Sequence, residues 1–140
     1  MNREVKLSIS GLHSGIEEEN ASVETFVEAE YFKKNDSHYL LYEEKQEGFE
    51  KISKNHIKFK ANMVELTRQG LMQTHMIFEE SKKHMTQYVT PYGGILLGIE
   101  TKRICLEEQE HSIMVTVEYS LEAEGEYLSD CKIVIHAEEQ

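Results

Sequence analysis

The sequence contains seven histidines and two cysteines, residues whose side chains could bind a metal ion. Zinc sites use spacings such as C-x-x-C or two histidines on one helix face, and neither occurs here. Two ligands on one face of a strand need an even spacing, so Cys131 and His136 point to opposite faces. His75 and His84 fall on neighbouring predicted strands, but they flank a turn and their register is open. We therefore expect hydrogen-bonded or solvated histidines, no metal and no cofactor.

Catalytic residues are equally hard to identify. Cys105 and Cys131 would need a basic neighbour that lowers the thiol pKa, and the sequence offers none. Glycosidases need two carboxylates in a cleft, whereas pairs such as Glu28 and Glu30 are typical of a solvated strand face in an acidic protein. Gly93-Gly94 precedes a predicted strand rather than a helix, so it is not a phosphate-binding loop. The sequence favours a protein that is not an enzyme.

Aromatic side chains around the only proline give the most informative candidate site. Pro91 suits the second position of a tight turn and Gly93 its last, so a hairpin joined at Pro91-Tyr92 is predicted. A rigid turn with aromatic groups could form the floor or rim of a ligand-binding concavity; alternatively, the tyrosines simply plug the end of the fold. A glycine on the second strand would let backbone or ligand approach closely. The predicted ligand-binding residues are Tyr88, Thr90, Tyr92, Gly98, Thr101 and Arg103.

Thr101 and Arg103 also provide the one enzymatic alternative. They lie at even spacing from Leu97 and Ile99, on the same face of the predicted strand, so both would point inward if that face is buried. A buried arginine needs a carboxylate partner, and Glu118 is the candidate. An Arg103 side chain exposed on the outside would refute this alternative.

Alternation of apolar and polar residues runs through most of the chain and predicts about ten strands. The clearest is Ser112 to Leu121, whereas the polar segment Gln46 to Asn55 is predicted to be a loop. No helical periodicity exceeds about one turn. We therefore predict an all-β single domain over residues 1–140, a closed up-and-down antiparallel meander barrel of about eight to ten strands.

Alternate connections of such a meander fall at the same end of the barrel. The connections at 12–21, 47–54, 70–71, 90–94 and 124–125 share one end, which we call the long-loop end because it carries the two longest loops. Those at 35–36, 62, 80–82 and 107–111 share the other, the short-loop end. Ligand sites of barrels lie at their mouths, so the long-loop end is the expected position of any site.

Composition excludes several classes of partner. The formal net charge is -11, from 26 acidic and 15 basic residues, which disfavours nucleic acids and anionic membranes. No signal peptide is visible, and the uncharged run from Met85 to Ile99 is shorter than the roughly 20 residues of a membrane helix. Two isolated cysteines suit free thiols in the cytoplasm, the expected location.

The motif Tyr88-x-Thr90-Pro91-Tyr92-Gly93, followed by Gly98-Ile99-x-Thr101, resembles the YwiB-like family, as do Gln69-Gly70, Lys82-Lys83-His84 and Glu118-Tyr119-Ser120-Leu121. This is a group of small bacterial proteins with a lipocalin-like (calycin) β-barrel. The resemblance spans nearly the whole chain and implies a closed meander barrel. It implies no activity, because fold alone does not fix function.

Two hypotheses of function follow. The first is non-enzymatic binding of a small, partly apolar ligand within the barrel, which holds if side chains do not fill the interior. The second is a protein-interaction or assembly module that uses the outer face, suggested by strands with bulky residues on both sides such as Phe26, Phe32, Leu40 and Tyr42. Either a monomer or a homodimer is compatible with the sequence.

Overall fold

A computed structural model describes residues 3–11, 24–45, 52–70, 73–90 and 93–140 of the 140-residue chain. Every regular element within these residues is a strand. The ten strands are β1 (Glu4–Ser10), β2 (Glu24–Lys34), β3 (Ser37–Lys45), β4 (Ile52–Lys60), β5 (Met63–Gln69), β6 (Thr74–Glu79), β7 (Lys83–Thr90), β8 (Gly93–Glu108), β9 (Ser112–Ala123) and β10 (Glu126–Glu139). The loops predicted at 12–21 and within 47–51 lie outside the described residues.

The strands form one antiparallel sheet in the order β6-β5-β4-β3-β2-β1-β10-β9-β8-β7. Within the described residues, consecutive strands pair with each other except β6 and β7, and β1 pairs with β10 from Val5 opposite Glu139 to Ser10 opposite Val134. The sheet therefore curls into a nearly closed barrel whose two edges, β6 and β7, face each other. The predicted all-β meander barrel is confirmed.

The seam between β6 and β7 is held by turn and side-chain contacts, with no β-ladder between these two strands in the described part of the chain. Thr86 Oγ1 donates to the carbonyl of His75, and His84 Nε2 lies 3.0 Å from Glu79 Oε1. The turn after β6 also bonds to β8, since Ser81 N donates to Thr101 O and Thr101 N donates to Lys82 O.

Two tight hairpins follow from residues that tolerate a left-handed backbone. Asn35 and Asp36 have φ values of 50° and 67°, and Glu124 and Gly125 have 52° and 84°. Positive φ at both central residues is what a two-residue hairpin turn between twisted strands requires. The turns predicted at these positions are confirmed. The central hairpin is confirmed as well, because Thr90 pairs with Gly93 across residues 91–92.

Side chains fill the middle of the barrel in layers that follow the strand register. Leu40, Ile57, Leu66 and Met76 occupy successive paired positions on β3 to β6, and all four are buried. On the opposite wall β9 presents Ile113, Val115, Val117, Tyr119 and Leu121, each buried as its alternation predicts. Phe78 and Tyr119 meet edge to face across the interior, with ring centroids 4.8 Å apart.

The predicted loop from Gln46 to Asn55 is wrong in its last four residues, since β4 begins at Ile52. Residues 52 to 60 alternate between buried positions and exposed or half-buried positions, as expected for a strand. Two of its inward residues, Ser53 and Asn55, are polar, so the hydrophobic alternation that normally reveals a strand is missing there.

Candidate functional site

The wall of the barrel splits between β2 and β3. These strands pair from Lys34 and Ser37, at the short-loop end, only as far as Glu30 and Leu41. Beyond that point β2 pairs only with β1, and β3 only with β4. The two strands therefore separate toward the long-loop end, the end at which the sequence placed any ligand site.

A cleft of about 660 Å³ occupies this split. Its outward-facing lining consists of Glu28, Glu30, Leu41, Glu43, Lys54 and His56, and its inward-facing lining of Ala29, Tyr42 and Asn55. Glu4, Gln69 and Gln140 complete it. The cleft is thus a lateral opening that leads from an acidic outer rim to the interior of the barrel. Its volume lies in the range of small-molecule sites.

A row of polar side chains faces the interior behind the cleft. Tyr42, Asn55, Arg68 and Thr74 stand opposite one another on β3, β4, β5 and β6, one layer above the apolar row that contains Ile57. The next layer toward the long-loop end adds Glu44 and Ser53, which are also paired. We call these six residues the polar row.

Arg68 and Glu44 organise the charges of the polar row. Arg68 Nη2 lies 3.6 Å from Glu44 Oε1, and the same carboxylate oxygen accepts a hydrogen bond of 3.0 Å from Asn55 Nδ2. Burial, with a smaller contribution from the charge of Glu44, raises the pKa of Tyr42 to about 12, although Arg68 acts in the opposite direction. Tyr42 is therefore a neutral phenol at physiological pH, suited to hydrogen bonding and not to proton transfer.

Three buried oxygens of the polar row find no hydrogen-bond partner among the described residues: Ser53 Oγ, Asn55 Oδ1 and Thr74 Oγ1. Ser53 is 2% exposed and Asn55 is 5% exposed, and Asn55 lines the cleft directly. Buried polar atoms in native proteins are nearly always hydrogen-bonded, so three such atoms on two strands in two adjacent layers call for an explanation. A bound molecule that donates to Asn55 Oδ1 and bonds to the two hydroxyls would provide one.

The expectation that Thr101 and Arg103 share an inward face is wrong for Arg103. Thr101 is 1% exposed, but Arg103 is solvent-exposed. The cause is a bulge: Thr101 pairs with Tyr119 and Arg103 with the very next residue, Glu118, so Lys102 is an extra residue that reverses the alternation. Arg103 and Glu118 do stand opposite each other, as proposed, but on the outside of the barrel. The enzymatic alternative built on an inward Arg103 is therefore refuted.

Gly98 lies on the outer face of β8, not on its inner face. A Cβ atom there would meet the side chain of Glu122, at 2.5 Å from Oε1, and Glu122 in turn lies 2.6 Å from Lys83 Nζ. Gly98 lines a shallow outer pocket of about 160 Å³ that shares no residue with the cleft. The side chains of Tyr88 and Thr90 and the whole of Tyr92 lie outside the described residues, so the predicted aromatic rim stays a prediction.

A second polar cluster lies toward the short-loop end. Tyr31 Oη lies 2.7 Å from His38 Nδ1, and His38 Nε2 lies 3.8 Å from Glu108 Oε1. The His38 ring stacks on Tyr31 and on Phe59. Burial raises the pKa of Tyr31 and lowers the pKa of His38, so both rings are neutral at physiological pH. This arrangement resembles a catalytic relay in its residue types, but it holds no activated nucleophile.

Neither a metal-binding cluster nor a membrane-spanning helix occurs in the described part of the chain. The described residues contain no group of three or more histidine, cysteine or carboxylate side chains arranged to hold a metal ion. Within the same part of the chain there is no helix with the length and apolar character needed to cross a bilayer.

The site consists of residues that sequence reasoning largely missed. The sequence predicts a loop at Ser53 and Asn55, and nothing in the neighbours of Arg68 and Thr74 distinguishes these two residues. Tyr42 stands out only as one of the bulky residues on a strand with bulky residues on both sides, and Glu44 does not differ in its context from other acidic residues. The available signal was the even spacing of Ser53 and Asn55 with the apolar Ile57 and Phe59, which continues one strand face toward the loop.

Fold and site together define an all-β barrel with a polar interior layer that is open to solvent through a split wall. Residues 7–135 match the family model described as a domain of unknown function, DUF1934, and the chain belongs to this family. The crystal structure of the ywiB protein from Bacillus subtilis is similar, with a TM-score of 0.74 and 17% sequence identity over 98% of this chain and 90% of that chain. At this identity the likeness shows the fold alone. A comparison with curated proteins finds no match.

Proposed function

We propose that the protein binds a small molecule in the cleft between β2 and β3, with the polar row as the recognition surface and without catalysis. The observation that carries the proposal is Asn55, whose Oδ1 is buried, unpartnered among the described residues and part of the cleft lining. A buried unsatisfied polar atom costs about 1–3 kcal/mol, and a ligand that donates a hydrogen bond removes this cost.

The lining of the cleft includes an apolar part that would suit the apolar portion of a ligand. The middle of the barrel is packed with side chains, so the partly apolar ligand that the sequence suggested within the barrel is not supported at its centre. Ala29, Leu41 and Tyr42 instead give the cleft walls apolar area beside the polar row. A partly apolar molecule with a polar head fits this combination, since the head can reach Asn55 while the remainder contacts Leu41 and Tyr42.

A screen of small polar and amphipathic compounds by thermal shift, followed by calorimetry on the hits, tests this proposal. Binding at 100 times the dissociation constant stabilises the folded state by about 2.7 kcal/mol, well within detection. Asn55→Ala should weaken the hits at least tenfold because it removes a buried acceptor. Thr101→Val serves as the matched control, since it removes a buried hydroxyl that does not line the cleft. Equal binding to wild type and Asn55→Ala would refute the site.

A second candidate function, association with another protein or a second copy through the outer face, is favoured by one observation. Phe26 is 60% exposed, and on the same outer face Phe32 stacks on Tyr39 with ring centroids 4.8 Å apart. Leu41 is exposed beside them. Light scattering on size-exclusion fractions, with Phe26→Ser as the comparison, tests this candidate. A wild-type protein that is monomeric at high concentration would count against self-association.

A cytoplasmic location belongs to the same proposal. Cys105 and Cys131 are both free thiols, as is usual for proteins in reducing compartments. Fractionation of cells that express a tagged full-length chain tests it, and recovery of the protein outside the cytoplasm would refute it.

A further inference from the structure

The charge around the cleft indicates the chemical class of its ligand. Among the described residues, four carboxylates line it, those of Glu4, Glu28, Glu30 and Glu43, against one ammonium group, that of Lys54. The chain as a whole carries a formal net charge of -11. A concave site with an excess of one sign attracts ligands of the opposite sign and raises their association rate.

Some of these carboxylates have partial compensation. Arg3 Nη2 lies 3.3 Å from Glu30 Oε2, although both side chains are mostly exposed, and Lys54 stands opposite Glu43 in the β3–β4 register. Glu4 and Glu28 form no ion pair with any residue in the described ranges. Lys6 stands opposite Glu28 in the β1–β2 register but also opposite Glu138 in the β1–β10 register. The four carboxylates of the described lining outnumber the cations Arg3, Lys6 and Lys54, so the mouth of the cleft is negative.

Asn55 provides the second and independent indication. Its Nδ2 already donates to Glu44, so the remaining atom, Oδ1, is an acceptor that only a donor can satisfy. Ser53 lies two residues before Asn55 on the same face of β4, and Thr74 lies two strands away on β6, beyond Arg68. The hydroxyl of each can accept as well as donate. An anionic ligand group would meet an acceptor at Asn55 and like charges at the rim. A cationic N–H donor meets acceptors at both.

We propose that the cleft binds an aliphatic amine, whose ammonium group donates hydrogen bonds to Asn55 Oδ1 and is attracted by the carboxylates of Glu4 and Glu28. Its hydrocarbon part lies against Leu41, Ala29 and the Tyr42 ring. An ammonium group has three donors and no acceptor, which matches a site made of carboxylates, an amide oxygen and hydroxyls. This inference rests on the proposed function and names the ligand class of the same cleft.

Calorimetric titration with three compounds of equal chain length tests the class. The probes are cadaverine, its neutral analogue pentanediol and its anionic analogue glutarate. Cadaverine is expected to bind, pentanediol at least tenfold more weakly and glutarate not at all. The affinity for cadaverine should fall as salt is raised, because rim charges are screened over a Debye length of about 8 Å at physiological ionic strength.

Three full-length variants locate the interaction. Asn55→Ala should lower the affinity for cadaverine at least tenfold, and Glu28→Gln should lower it severalfold by removing one rim charge. Glu126→Gln makes the same charge change at an exposed position of β10 outside the cleft lining and should leave the affinity unchanged. Melting temperatures of all three variants show whether each is folded.

The outcomes separate the two proposals. Binding of pentanediol that depends on Asn55, without preference for cadaverine, overturns the amine inference and leaves the cleft as a ligand site. Binding of cadaverine that is equal in wild type and Asn55→Ala overturns both. If cadaverine at about 1 mM shows no binding, its dissociation constant is too high for a specific ligand. That result overturns the amine inference whatever the wider screen finds.

Discussion

Replacement of Thr101 by valine should make the protein more stable. Thr101 is 1% exposed, and its Oγ1 has no hydrogen-bond partner among the described residues. Its backbone groups are already used, since its N–H donates to Lys82 O and its carbonyl accepts from Ser81 N. Valine keeps the β-branched shape and these backbone bonds, so the substitution changes one buried hydroxyl into a methyl group and little else.

The size of the effect follows from the cost of that hydroxyl. A buried polar group without a partner costs about 1–3 kcal/mol, and the new methyl group also packs beside Tyr119, which stands opposite Thr101. We expect the free energy of unfolding to rise by about 1–2 kcal/mol. For a chain of this size, 1 kcal/mol changes the melting temperature by about 4 °C.

Urea denaturation monitored by circular dichroism measures this change, with an unchanged m-value as evidence that the unfolded state is unaffected. Thr116→Val is the matched control, because Thr116 is half-buried on the outer face of β9, where the expected change is within about 0.5 kcal/mol. A loss of stability in Thr101→Val that exceeds the control would refute the reasoning, because it would show that the hydroxyl is hydrogen-bonded in solution.

Two further predictions concern the backbone and the pH dependence of stability. Gly11→Ala should lower the free energy of unfolding by about 3 kcal/mol or more, because φ is +83° and the new Cβ would lie 1.9 Å from the carbonyl oxygen of Lys132. Gly125→Ala, at φ +84° with no atom within 4 Å of the new Cβ, should lower it by only about 1 kcal/mol in the same urea assay. Equal losses in the two variants would contradict this account. Burial lowers the pKa of His38 below its ordinary 6.5, so the unfolded chain binds the extra proton first and stability falls as the pH drops from about 6.5 through the lower pKa of the folded state. His38→Phe should flatten this part of a stability–pH curve, and an unchanged curve in His38→Phe would assign the effect to other groups.

Most of the fold could be predicted from alternation alone. β9 shows why: every second residue from Ile113 to Leu121 is apolar and buried, so period and burial agree over a long run. Hairpin turns were equally readable, because three of their four central residues, Asn35, Asp36 and Gly125, are of types that tolerate positive φ. The fold therefore followed from short-range patterns, which a single sequence contains in full.

The site could not be predicted because each of its features breaks those patterns. The polar row replaces apolar residues on inward positions, so Ser53 and Asn55 look like a loop. The split between β2 and β3 is a relation between two strands that no local pattern records. The bulge at Lys102 puts the side chains of Thr101 and Arg103 on opposite faces of β8, and a single extra residue cannot be recognised from the composition.

The polar row is also where this barrel gives up stability. One layer deeper, the same four strands carry Leu40, Ile57, Leu66 and Met76, which shows that sheet geometry there accepts apolar side chains. Three unpartnered oxygens at about 1–3 kcal/mol each amount to several kcal/mol, a large part of the 5–15 kcal/mol by which a domain is stable. Local rules of folding are broken mainly where function requires it. Asn55 is the residue at which a broken rule meets the split wall and the acidic rim, because it carries one of these oxygens and also lines the cleft, and the proposed ligand site therefore depends on it.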